Sequence, residues 1–351
     1  MSPARTVKVG GQAVIEGVMM RGPQSWSVAV RLADGTIAQR VDAHRPWTTR
    51  HWLLALPVIR GAAVLLESLT IGTRALNYSA LMADAGASAA SARDGEAPPN
   101  SPDPQKSEDP PDARAQDPAP TSPDEGKPSL GLLSIVFTVG LSVLLALLLF
   151  VAAPHFLSLA LGSRWSLDEK TFLFHAIDGI LKFSIFLGYV WGIGRIPEIK
   201  RVFAYHGAEH RAIYAYEASL PLEPRYAKNF PLWHPRCGTA FIFVLLTASV
   251  LFFAVLFPLF FRYEGTGAVS RALVATLAKT LLTFPLAGLS YEVTKLAAKP
   301  GSSPVWKALI YPGLLLQRLT TRETDDAQLE VAFRALAAVA ASPPGPEPPL
   351  K

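Results

Sequence analysis

The chain has 351 residues, half of them hydrophobic and only 17% charged, with a formal net charge of +5. Soluble domains carry nearer a quarter charged residues, so the composition argues against an ordinary water-soluble protein. The single cysteine, Cys237, excludes an internal disulfide framework.

Residues 1–50 read as a β-rich cytoplasmic segment. In it, Ser27-Val28-Ala29-Val30-Arg31-Leu32 and Thr36-Ile37-Ala38 flank Ala33-Asp34-Gly35, a hairpin with an Asp-Gly turn. The stretch from Gly10-Gly11 to Gly22 lacks the G-x-G-x-x-G spacing of a dinucleotide fingerprint. Glu16 and Arg21 are expected to make turn or interdomain contacts there. The first thirty residues hold no uninterrupted apolar core, so no signal peptide is expected. Residues 51–83 predict an amphipathic helix with Leu53, Leu56, Ile59, Ala63 and Leu66 as apolar positions. Arg60 and Glu67 make it a poor span, and an interfacial or bundle-packed helix fits better.

Residues 84–128 hold ten acids against four bases, a net −6 that leaves +11 on the remainder. A Pro-rich, acidic, aromatic-free stretch buries too little apolar surface to offset ordering entropy, which predicts a disordered linker. The basic remainder suits an anionic membrane surface. No basic, aromatic-interleaved motif occurs, so nucleic acid is not an expected partner.

Residues 129–335 read as a four-span membrane domain, which makes the fold class an α-helical integral membrane protein with a small N-terminal β segment. The runs are roughly Leu130 to Ala152, Phe172 to Gly194, Ala240 to Phe261 and Ala268 to Leu289. The second holds His175, Asp178 and Lys182; the fourth holds Arg271 and, near its middle, Lys279. A charge at mid-bilayer costs roughly 2.5 kcal/mol or more. Asp178 and Lys182 are spaced i,i+4 and can pair, which lowers that cost and gives either a structural pair or a transport path. The loop over 195–239 carries seven Lys or Arg, the loop between the first two spans carries two, and the tail after the fourth carries seven. The bias puts the 195–239 loop and both termini in the cytoplasm. A last helix, capped by Thr324 or Asp325, carries Leu329, Phe333 and Leu336 on one stripe. Residues 336–351 read as a Pro-rich tail. The lipid bilayer is the expected partner, with membrane proteins or a second copy as others.

The chemistry concentrates in the cytoplasmic loop, which contains Tyr205-His206-Gly207-Ala208-Glu209-His210-Arg211, Tyr216-Glu217 and His234-Pro235-Arg236-Cys237-Gly238-Thr239. On a helix His206 and His210 share one face, and Glu217 lies close to it. Two imidazoles a turn apart can chelate one ion. His234 and Cys237 have the spacing of a metal knuckle, with Gly238 where backbone would approach the sulfur. Metal ligands are therefore expected among His206, His210, Glu217, His234 and Cys237. Four of them could close a structural zinc site. Alternatively three hold the metal and Glu209, within an H-x-x-E-H order, serves as catalytic base. A nucleophilic Cys237 paired with His234 is a further option, as is a cluster that binds no metal.

Several stretches together resemble one family: GGQAVIEGVMMRGP near the start, NYSA at Asn77 to Ala80, YHGAEH at Tyr205 to His210, HPRCGT at His234 to Thr239, GLSYE at Gly288 to Glu292 and PGLLLQRLTTRE at Pro312 to Glu323. They look like the DUF1385 (YqhQ-like) bacterial membrane proteins over about residues 7–82 and 129–335. The resemblance implies an integral protein of the bacterial inner membrane and a metal-dependent enzyme, and it would carry that description to His206, Glu209, His210, Glu217, His234 and Cys237. The combined expectation is a metal-dependent, hydrolytic membrane enzyme with a divalent ion, zinc first. The alternatives are a non-enzymatic membrane scaffold or assembly factor with a structural metal, and a transporter using Asp178, Lys182 and Lys279.

Overall fold

The computed structural model describes residues 9–94, 137, 140–165, 171–255, 267–299 and 301–341. Four strands, β1 (Gly10–Val14), β2 (Gly17–Arg21), β3 (Ser25–Arg31) and β4 (Ile37–Ala43), form an antiparallel meander in chain order. The β3–β4 register pairs Arg31 with Ile37, and Gly35 takes φ 85° in the turn, a conformation glycine adopts without strain.

Side chains alternate across the two central strands, and both faces are covered. Val18, Met20 and Ala29 join one core with Tyr205, Ala208, Leu329 and Leu336. Met19, Val28 and Val30 join a second core with Ile71 and Ala75 of α1 (Ile59–Asp94). This period of two explains why β2 and β3 read as nearly continuous apolar runs: helices lie on both sides. α1 begins after two 3₁₀ turns, Trp47–Thr49 and Trp52–Ala55, and continues past residue 84, where composition places the start of a linker. Its last stretch is alanine-rich, and alanine has the best helix propensity. The rest of the expected linker lies outside the described residues.

Among the described residues, four helices are long and apolar enough to cross a membrane: α2 (Gly140–Arg164), α3 (Phe172–Ile193), α6 (Gly238–Val255) and Leu273–Ala297 within α7 (Ala268–Ala297). α2 extends beyond the expected stop at Ala152. A π-helical turn over Leu148–Ala152 absorbs Pro154, and His155 is buried rather than at a boundary. The far end of the third run, 256–261, lies outside the described residues.

Between α3 and α6 lie α4 (Pro197–Glu217) and the single turn α5 (Pro224–Ala227). Nearly half of the chemistry-bearing loop is thus a 21-residue helix. After α7 come α8 (Pro304–Thr320) and α9 (Asp326–Ala340). Asp325 caps α9 in a capping box with Gln328. α9 runs into the expected tail, because Leu336 and Val339 are buried against the sheet and α4; the tail beyond Ala341 is outside the described residues.

Candidate metal centre

α4 packs against β1 on one side and α9 on another, which fixes its rotation. Gly207 lets the backbone after α8 come close: a Cβ there would lie 2.4 Å from the Arg322 carbonyl. The Arg322 N–H in turn donates to the Phe203 carbonyl at 3.0 Å. This contact brings the end of α8 against His206. His206 Nδ1 lies 2.9 Å from the Thr320 carbonyl, and His210 Nδ1 lies 2.5 Å from the Leu232 carbonyl. A carbonyl only accepts, so both imidazoles carry their proton on Nδ1, and both Nε2 lone pairs are left open.

Those lone pairs face Cys237. The His206 Nε2 to Cys237 Sγ distance is 3.1 Å, and the ligand atoms of His206, His210 and Cys237 all lie within 4.8 Å of one another. Nitrogen and sulfur ligands on a tetrahedral zinc sit roughly 3.5 Å apart, so side-chain rotation closes the difference. His210 Nε2 is buried and, among the described residues, has no hydrogen-bond partner. Burial holds the His210 pKa below its ordinary value, partly offset by the Cys237 sulfur, so the ring stays neutral, as a ligand must. The Cys237 sulfur sits where α6 begins. It accepts the Thr239 N–H at 3.5 Å and lies 3.2 Å from Thr239 Oγ1. A Cβ on Gly238 would meet nothing within 4 Å, so this glycine is not required for a close approach to the sulfur.

Glu209 lies beside this trio, 3.9 Å from Nε2 of both His206 and His210. Burial raises its pKa, while His206, His234 and the adjacent Gly11 backbone oppose the rise. Two other candidate ligands are turned elsewhere. Glu217 pairs with Arg236 at the end of α4. His234 accepts the Arg236 N–H on Nδ1 at 3.3 Å, which leaves the proton on Nε2, 3.7 Å from Glu217. It therefore presents no lone pair to the cluster, nor is it the partner of Cys237. Burial holds its pKa down to about 4, against the pull of Glu209. Gln317 grips the His234 backbone from both sides, accepting its N–H at 2.7 Å and donating to its carbonyl at 3.0 Å.

Away from the centre, Asp178, Lys182 and Lys279 meet inside the helical bundle. Asp178 Oδ2 is 2.7 Å from Lys182 Nζ and 3.3 Å from Lys279 Nζ, and His155 Nδ1 is 3.5 Å from the latter. Glu16 pairs with Arg201, and Arg21 pairs with the buried Glu67. Sequence reasoning misses the backbone groups of Gly11, Leu232 and Thr320 that orient the cluster. Their stretches, GGQ and QRLTT, stand out as motifs, but nothing in residue type shows a main-chain donor or acceptor at work.

Fold and site define, among the described residues, a mostly helical protein with four apolar helices, a small antiparallel sheet and a partly buried His/Cys cluster at the start of α6. The chain belongs to the DUF1385 family: residues 56–342 match the family described as "Protein of unknown function (DUF1385)". It is 34% identical over 335 residues to "Uncharacterized protein YqhQ" of Bacillus subtilis (strain 168), covering 93% of this chain and 90% of that protein. No solved structure matches.

Proposed function

We propose that this chain is a four-span protein of the bacterial inner membrane, with both termini cytoplasmic, and that it is a zinc-dependent hydrolase. The spans are α2, α3, α6 and α7. Large apolar side chains such as Leu145, Ile180, Leu251 and Leu277 stand exposed on them, as lipid contact requires. The Lys/Arg bias sets the orientation.

One observation carries the metal reading. Two imidazoles are locked by backbone carbonyls so that both open Nε2 atoms converge with a thiol, and one of them, buried on His210, has no hydrogen-bond partner among the described residues. Outer hydrogen bonds that fix the tautomer are the usual support of a histidine ligand. His206, His210 and Cys237 would hold the ion. Zinc bound there supplies Lewis acidity for hydrolysis. Glu209 takes a proton from the attacking water, and the burial that raises its pKa brings it toward the range where a carboxylate both accepts and returns a proton. The sheet excludes bulk water behind it.

The loop between α5 and α6 is already tied down by Gln317, by Arg211 donating to the Phe230 carbonyl at 3.0 Å and by Tyr214 donating to the Trp233 carbonyl at 3.0 Å. That favours a working metal over a structural staple. Elemental analysis of detergent-purified protein tests the reading. Wild type and Glu209→Gln should each hold about one zinc per chain, and His206→Ala/His210→Ala should hold almost none. Equal, substoichiometric zinc in all three would end it. Hydrolysis surviving in Glu209→Gln would keep the metal and the activity but remove Glu209 as the base, whereas a zinc-loaded wild type whose function in the cell is unchanged by Glu209→Gln would transfer the function to a scaffold.

A further inference from the structure

The segment before α1 presents an apolar face on which, among the described residues, nothing packs. Trp52 is 71% exposed, and Leu53, Leu56 and Ile59 are also exposed. On α1 the exposed Leu66 and Leu69 continue this face, beside the side that buries Ala63, Glu67 and Ile71. Two exposed arginines, Arg45 and Arg50, lie just ahead of it in the chain.

The segment is held in a fixed orientation. The Trp47 N–H donates to Glu67 Oε1 at 2.6 Å, and the Thr49 N–H donates to the Pro46 carbonyl at 3.0 Å. Its place along the bundle is also set. A Cβ on Gly61 would lie 2.7 Å from the Gly288 Cα of α7, and Arg60 bonds Glu292 with both nitrogens, at 2.9 and 2.5 Å. Glu292 and Lys295 mark the end of α7 where charge returns after a long apolar run. The exposed Trp/Leu face therefore stands beside a candidate span at the level where hydrocarbon gives way to headgroups. Aromatic and aliphatic side chains flanked by arginine are what such a boundary binds.

We infer that residues 45–69 form a docking surface for anionic lipid headgroups, with Trp52, Leu53, Leu56 and Ile59 entering the interface and Arg45 and Arg50 neutralising phosphates. The surface is continuous with the proposed spans, and its charge has the sign that an anionic cytoplasmic leaflet attracts. The inference rests on the membrane reading above and is independent of the metal.

The test uses full-length protein in nanodiscs containing brominated phosphatidylglycerol or brominated phosphatidylcholine at equal mole fraction. The Trp52 signal is the difference between wild type and Trp52→Phe. The Trp191 signal, from an exposed residue of α3, is the difference from Trp191→Phe and reports insertion alone. Both signals should be quenched by lipid. That of Trp52 should be quenched severalfold more by the anionic lipid, and Arg45→Gln/Arg50→Gln should remove that preference. If Trp191 is quenched and Trp52 responds only to aqueous iodide, or to neither quencher because a second copy covers it, the docking surface is refuted. Equal quenching of Trp52 by both lipids refutes it as well. If neither tryptophan is quenched by lipid, the membrane reading itself fails.

Discussion

Gly11 backs directly onto Glu209: a Cβ on the glycine would lie 2.9 Å from Glu209 Cγ, so no side chain fits between them. The edge of the N-terminal sheet is thereby part of the candidate centre, although the two residues lie far apart in sequence.

Gly11→Ala should disturb both partners. The added carbon would lie 2.6 Å from the Met19 carbonyl and 2.9 Å from Glu209 Cγ. The first contact is backbone and cannot turn aside, so a loss of about 1–3 kcal/mol is expected, read as a lower unfolding midpoint in detergent. Wild-type stability in this variant would mean that the strand and helix are not held at this spacing.

Acid should weaken the fold through His234. Its folded pKa is about 4 because the ring is buried, whereas the unfolded chain binds the same proton near the ordinary value of about 6.5. Between those values the unfolded state holds more protons, so stability is full above the upper one and declines as pH falls toward the lower. The interval corresponds to roughly 3 kcal/mol. His234→Asn retains an acceptor for the Arg236 N–H but cannot titrate. Unfolding followed from about pH 7.5 to about 4.5 should therefore show a flatter acid limb in the variant than in wild type.

Two glycines on helices should respond with opposite signs. A Cβ on Gly288 would stand 2.1 Å from the Val58 carbonyl, whereas one on Gly188 meets nothing within 4 Å. Gly188→Ala should gain up to about 1 kcal/mol of helix propensity. Gly288→Ala should lose about 1–3 kcal/mol despite the same propensity gain, because α1 must move off α7. Thermal unfolding of the pair separates packing from propensity.

Glu67 is 1% exposed and accepts from Arg21 and from the Trp47 N–H, with His44 Nε2 at 3.1 Å. Glu67→Ala leaves the half-buried Arg21 guanidinium without its carboxylate and strands the Trp47 N–H, so a loss of about 1–3 kcal/mol is expected. Glu67→Gln, which keeps the acceptor and drops the charge, should lose less. Chemical unfolding of both variants gives the order, and a reversed order would discount the ion pair.

Much of this architecture is legible in the residues. The β3–β4 hairpin shows because an Asp-Gly turn separates alternating strands, and the uncharged runs of α2 and α6 show because no soluble helix needs them. The end of α2 is hidden: Pro154 and His155 read as stop signals until the π turn and the buried Lys279 contact are seen. At the centre, the i,i+4 spacing of His206 and His210 brings both imidazoles to one face. The same face argument misleads for Glu217, because it ignores Arg236, which reaches that carboxylate from a different segment. His234 is misjudged for a related reason: which ring nitrogen carries the proton depends on the Arg236 backbone, which spacing does not reveal.

The sheet is closed on one side by α9. Ser27 Oγ donates to the Ala335 carbonyl at 2.5 Å, and Arg31 reaches the Ala327 carbonyl at 3.0 Å and Glu330 at 2.6 Å. The sheet thus waits for a helix that follows the whole bundle in the chain before its second face is covered. During synthesis the bundle helices emerge while Val18, Met20 and Ala29 still lack that cover, so a chain cut before α9 would leave an aggregation-prone apolar surface.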